Sequence, residues 1–162
     1  MIAEAAPPAV SVLGVDDQTA CEVDVERWSE LARQSLVHEG VAGVAELSLS
    51  FVSADRMAEL HHDHLGGEGP TDVLAFPLDA DDDELAPVRL LGDVVVCPEV
   101  AAQQADAQGA AVDDEIALLV VHGVLHVLGH DHAEPDETEL MRAREHDLLD
   151  RFHTSGRAAG AG

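Results

Sequence analysis

Polar and apolar positions alternate cleanly over residues 46–52, with Leu47, Leu49 and Phe51 on one side and Ser48 and Ser50 on the other. That period of two predicts a strand with one buried face. The run RLLGDVVVC at 89–97 is continuously apolar towards its end, which predicts a strand buried on both faces. Residues 10–15 and the stretch TDVLAFPL after Pro70 are two further strands. Helical spacing governs the rest. Trp28, Leu31 and Leu36 fall near one face of a segment that Asp24 caps and Gly40 ends. Ser53 caps a second helix over 54–64 carrying Met57 and Leu60, and Pro98 opens a third that Gly109 closes. Asp113, Asp114 and Glu115 supply the acidic first turn of a fourth. A charged amphipathic helix with Leu140, Met141, Leu148 and Phe152 follows from Pro135.

The order is β-α-β-α-β-β-α-α-α, with strands early, helices late and no repeat or linker. It predicts a single α+β domain over 10–152, a small mixed sheet of about four strands packed with about five helices. Residues 1–9, with Pro7 and Pro8, and the Gly- and Ala-rich residues 153–162 read as flexible tails, and the acidic 79–87 as a hairpin or crossover loop.

Composition changes this picture in two places. Aromatic residues make up only 2% of the 162, so the core must be built from Val, Leu and Ala. The formal charge is −25, from 33 acidic and 8 basic residues, and every basic residue is Arg. A surface so acidic repels a nucleic-acid backbone at long range and offers no polybasic membrane patch, while it permits a basic protein partner or a small local Arg cluster that the net charge hides. Cys21 and Cys97 are too few and too far apart for a disulfide scaffold. No apolar run approaches the ~18 residues of a membrane span, and no basic-then-apolar leader is visible. A cytoplasmic protein is expected.

The candidate chemistry is concentrated in VVHGVLHVLGHDH, residues 120–132, which holds His122, His126, His130 and His132. His122 and His126 are four apart and share one helix face. Gly129 can end that helix in a left-handed conformation and turn His132 back towards the two rings. A lone histidine on an apolar helix is ordinarily a core or surface residue. Two on one apolar helix need something to satisfy their nitrogens. Three converging imidazoles with a fourth position open are the layout of a catalytic zinc site. The spacing also fits the metzincin pattern H-E-x-x-H-x-x-G-x-x-H at His122, His126, Gly129 and His132, except that Gly123 stands in the slot of the protease's general base. His130 is not needed by that pattern and is expected to support a ligand or face solvent.

Three separated stretches then resemble the YbeY-type metal-dependent endoribonucleases: PTDVLAFP at 70–77, LGDVVVCPE at 91–99 and HGVLHVLGHDH at 122–132, in the family's order and at similar spacing. The resemblance covers about residues 45–150. It implies one zinc ion on His122, His126 and His132, an RNA substrate, and a role in small-subunit ribosomal RNA maturation and ribosome quality control. Ribosomal or small-subunit proteins are the implied partners; DNA and membranes are not. Many members carry an arginine before the PTDV-like strand, where this chain has His64 or Leu65, which leaves Arg89 as a cation for the phosphate. Many also have Tyr at the position of His130. Asp72, Asp93 and Asp131 are candidate proton acceptors, and no general base is assigned. The competing readings are a non-catalytic metal-stabilised ribosome assembly factor and a zinc peptidase, which Gly123 opposes.

Overall fold

A computed structural model describes residues 10–78, 88–130 and 134–153. The N-terminal tail, the acidic 79–87 segment, Asp131, His132 and the chain beyond His153 lie outside the described residues.

Among the described residues nine elements follow in the order the sequence predicts: β1 Val10–Asp17, α1 Val25–His38, β2 Ala45–Val52, α2 Ala54–Leu65, β3 Val73–Pro77, β4 Arg89–Val96, α3 Pro98–Gln108, α4 Val112–Val127 and α5 Pro135–Phe152. The strands form one mixed sheet in the order β1-β2-β4-β3. β1 and β4 flank β2 in parallel, and β3 runs antiparallel to β4 at the sheet's edge. Capping explains where the first two helices begin. The Asp24 side chain accepts from Arg27 N at 3.2 Å, and Ser53 Oγ accepts from Arg56 N at 3.2 Å.

Alternation sorts the two faces of the sheet. Leu47, Leu49 and Phe51 are fully buried and meet Val94 and Val96 of β4, together with Trp28 and Leu36 of α1 and Val120 and Val124 of α4. The opposite face is a smaller cluster in which Leu74 and Val95 pack with Met57 of α2. Farther along that face Leu13 and Leu90 stay more than half exposed.

α4 is the central helix, packed against α1, α3, α5, β3 and β4. Its burial nearly all round explains why its apolar residues run continuously rather than in one stripe. At Gly123 a Cβ would lie 2.5 Å from Val94 Cγ1, so the absence of a side chain sets how closely α4 approaches β4. No helix among the described residues is long and apolar enough to cross a membrane.

Candidate metal centre

α4 carries His122 and His126 one turn apart, with ring centroids 5.1 Å apart. Glu145 of α5 accepts a hydrogen bond from His122 Nδ1. Its side chain is only 12% exposed, so the carboxylate is withdrawn from water and committed to this contact. A proton held on Nδ1 leaves the lone pair of the neutral ring on Nε2, the arrangement in which a supporting carboxylate orients a metal-binding histidine.

The end of α4 turns as its sequence predicts. Gly129 adopts φ 101°, His130 N donates to Leu125 O at 3.0 Å and Gly129 N to His126 O at 3.0 Å. This pair of bonds is a Schellman motif, and it reverses the chain directly after the second histidine. His132 follows three residues later, outside the described residues. Among the described residues no group of three His, Cys, Asp or Glu side chains is placed to hold a metal. The pair that is placed, His122 and His126, fits two nitrogen ligands of such a site, with its orienting carboxylate already engaged.

His130 turns elsewhere. Its Nε2 lies 3.6 Å from Glu39 Oε1, and Arg144 approaches the other oxygen of that buried carboxylate at 3.5 Å. It therefore belongs to a contact between the α4 turn and the end of α1.

A cleft of about 360 Å³ lies beside the two rings. Its other walls are Leu65 of α2, residues 73–75 of β3, and Asp72. Asp72 is held from several sides: Oδ1 accepts from Val73 N at 2.7 Å and from Thr71 Oγ1 at 3.3 Å. Both neighbours of the Gln104 amide are acceptors, which fixes its orientation: the nitrogen donates to Asp72 Oδ2 at 3.2 Å and to Glu115 Oε2 at 2.9 Å. Glu115 is buried within α4, and burial, then the Asp72 charge, pushes its carboxyl above the ordinary range.

The remaining sequence candidates divide by position. His64 packs its ring on Phe76 at 5.0 Å, beside the cleft that Leu65 lines. Arg89 begins β4, five residues and roughly 16 Å of strand before Val94, and does not line the cleft. Asp93 does not line it either, and Asp131 lies outside the described residues. Glu145, Glu115 and Gln104 escape sequence reasoning. Only Glu115 carries a signal, since it sits seven residues before His122 on the same helix face.

The family model described as endoribonuclease YbeY matches residues 14–153. The chain belongs to that family. A Salinispora tropica endoribonuclease YbeY is 46% identical over 144 residues, which is 83% of this chain and 92% of that protein. A Kineococcus radiotolerans endoribonuclease YbeY is 47% identical over 151 residues, 86% of this chain and 85% of its own length. The solution structure of TM1509 from Thermotoga maritima superposes with a TM-score of 0.57 at 23% identity, covering 86% of this chain and 90% of that one, a likeness of fold. All elements of the YbeY-family chain from α1 to α5, and the cleft among them, fall inside the matched span.

Proposed function

We propose that this chain is a zinc-dependent endoribonuclease that hydrolyses ribosomal RNA in the cytoplasm, in small-subunit maturation and ribosome quality control, with His122, His126 and His132 as the ligands of one zinc ion. Membership of the endoribonuclease YbeY family supports hydrolysis of RNA. The observation that carries the metal assignment is the His122–Glu145 pair, which fixes one ring beside His126 on the wall of a cleft.

Zinc bound there supplies a Lewis acid and a water whose pKa falls to about 7. The chain's own residues supply orientation. Glu145 keeps the His122 proton on Nδ1, and the Gly129 turn ends α4 three residues after His126. Gly123 offers no side chain to take a proton. Asp72 is the acidic side chain among the described cleft residues, held in place by Val73 N, Thr71 and Gln104, and it is the group placed to receive one.

Substrate recognition runs against the protein's net charge. Arg27, Arg33, Arg56, Arg144 and Arg151 are each paired with a carboxylate. A chain of −25 gathers RNA poorly by long-range attraction, so a basic ribosomal or small-subunit protein is the partner that brings it to the substrate.

Metal content and RNA cleavage of the wild type, His126→Ala and His130→Ala test the assignment. His126→Ala should lose both, because two donors are too few. His130→Ala should keep the metal, because that ring faces Glu39. Acidification should also release metal from the wild type, because bound imidazoles must be neutral. Equal metal loss in the two variants would overturn the ligand set.

A further inference from the structure

The cleft beside His122 and His126 sees β3 edge-on. Leu74 belongs to one face of the sheet, whereas Val73 and Ala75 pack on the other, yet all three line the cleft. Consecutive residues of a strand line one cavity when that cavity runs along the strand's main chain. Leu65, from the helix on the Leu74 side, and the histidines of α4, on the Ala75 side, flank this edge.

The hydrogen-bond alternation gives the direction of each peptide group. Leu78 N donates to Leu91 O at 3.0 Å and Cys97 N donates to Asp72 O at 2.9 Å, so residues 72, 74, 76 and 78 face β4. Residues 73, 75 and 77 face outward, and among the described residues no strand lies beyond β3. Val73 N donates to the Asp72 side chain, and Pro77 has no N–H. The Ala75 N–H is thus the outward donor of this strand, with the Val73 and Ala75 carbonyls as acceptors on either side.

We propose that the outer edge of β3 is a docking rail for the RNA strand, with Ala75 N–H donating to a backbone phosphate and the Val73 and Ala75 carbonyls accepting from ribose 2′-hydroxyls. The proposal rests on the endoribonuclease reading above. It also answers a difficulty in that reading, since no arginine lines the cleft among the described residues and the chain has no lysine. A neutral main-chain amide binds phosphate without a cation, and a carbonyl that accepts from a 2′-hydroxyl distinguishes RNA from DNA.

Amide NMR of the full zinc-loaded chain tests this with a short single-stranded phosphorothioate RNA, the DNA of the same sequence and an extended peptide as probes. RNA should shift the Ala75 N–H signal and slow its exchange, and DNA should do so much more weakly. In kinetics, Ala75→Pro removes this N–H without removing a ladder bond, and should raise KM for RNA roughly tenfold with kcat within about twofold, as expected for a hydrogen bond to a charged group. If Ala75→Pro does not fold, the wild-type amide signal decides alone. RNA cleaved and bound with Ala75 undisturbed would overturn the rail and leave the nuclease reading intact. Equal protection by DNA would remove the 2′-hydroxyl contact, and protection by the peptide instead of RNA would overturn the proposal. RNA neither bound nor cleaved would sink the nuclease reading and the rail with it.

Discussion

Glu145 of α5 holds His122 of α4 by its Nδ1, and it is withdrawn from solvent while doing so. The contact joins the last helix of the fold to the candidate metal site. Without the carboxylate, the ring can rotate and the proton can move to Nε2, the nitrogen that a metal would need free. Glu145→Ala should therefore weaken zinc binding about 10- to 100-fold, as is typical of lost supporting carboxylates. A competitive chelator titration measures it. Unchanged affinity would mean that α5 merely packs against the site.

Gly123 is a packing residue before it is an absent base. A Cβ there would meet Val94 Cγ1 at 2.5 Å and Cγ2 at 3.2 Å, in the middle of the core. Overpacking should cost about 1–3 kcal/mol while alanine returns ~1 kcal/mol of helix propensity, so Gly123→Ala should lower stability by up to about 2 kcal/mol net. Combining it with Val94→Ala should recover part of that loss, seen as non-additivity in a denaturation cycle. Gly123→Glu restores the protease spacing but cannot restore protease geometry without displacing β4. It should unfold more easily than the alanine variant and show no cleavage of casein. Efficient casein cleavage by the wild type would end the nuclease reading.

Much of this was legible from the chain. The element order, the caps at Asp24 and Ser53, and the turn at Gly129 are local chemistry, so spacing and residue type suffice to read them. The buried face of β2 follows from alternation for the same reason. What escaped depends on contacts between distant segments. Glu145 looks like any acid on a charged helix, and 23 residues separate it from His122. Glu115 reads as a favourable first-turn acid, and only the packing of α3 and Asp72 against it reveals a buried carboxyl. Leu140 shares the helical spacing of Met141 and Leu148, yet it is 50% exposed because α5 turns a narrower stripe inward. The role of β3's edge needs its register with β4, which no single strand encodes.

The buried Glu115 carboxyl gives a pH signature. Its pKa is raised above the ordinary glutamate value of 4.5, chiefly by burial and then by the Asp72 charge. The folded state therefore holds this proton more tightly than the unfolded chain. Stability contributed here is present below 4.5 and declines as pH rises through the folded-state value. Glu115→Gln keeps the shape and an acceptor for Gln104 while removing the charge. The difference in Tm between variant and wild type should shift in the variant's favour from about pH 4.5 upward. Thermal melts across that range check it. A difference that stays flat with pH would show that the carboxyl titrates as it does in the unfolded chain.

The charge of the chain leads to the last expectation. With −25 overall and five arginines already paired with carboxylates, few cations remain to displace counterions from RNA phosphates. A neutral main-chain donor such as the Ala75 N–H binds locally but does not attract at a distance. Free RNA should therefore be cleaved slowly and in a metal-dependent way, whereas the same RNA within small subunits should be cleaved faster. That gain should shrink with added salt, because an acidic surface meeting a basic protein is screened over roughly 8–10 Å at physiological ionic strength. Cleavage rates on free and subunit-bound RNA across a salt series measure both effects. Tight, salt-insensitive binding of free RNA, with no gain from the subunit, would show that the acidic surface plays no part in finding the substrate.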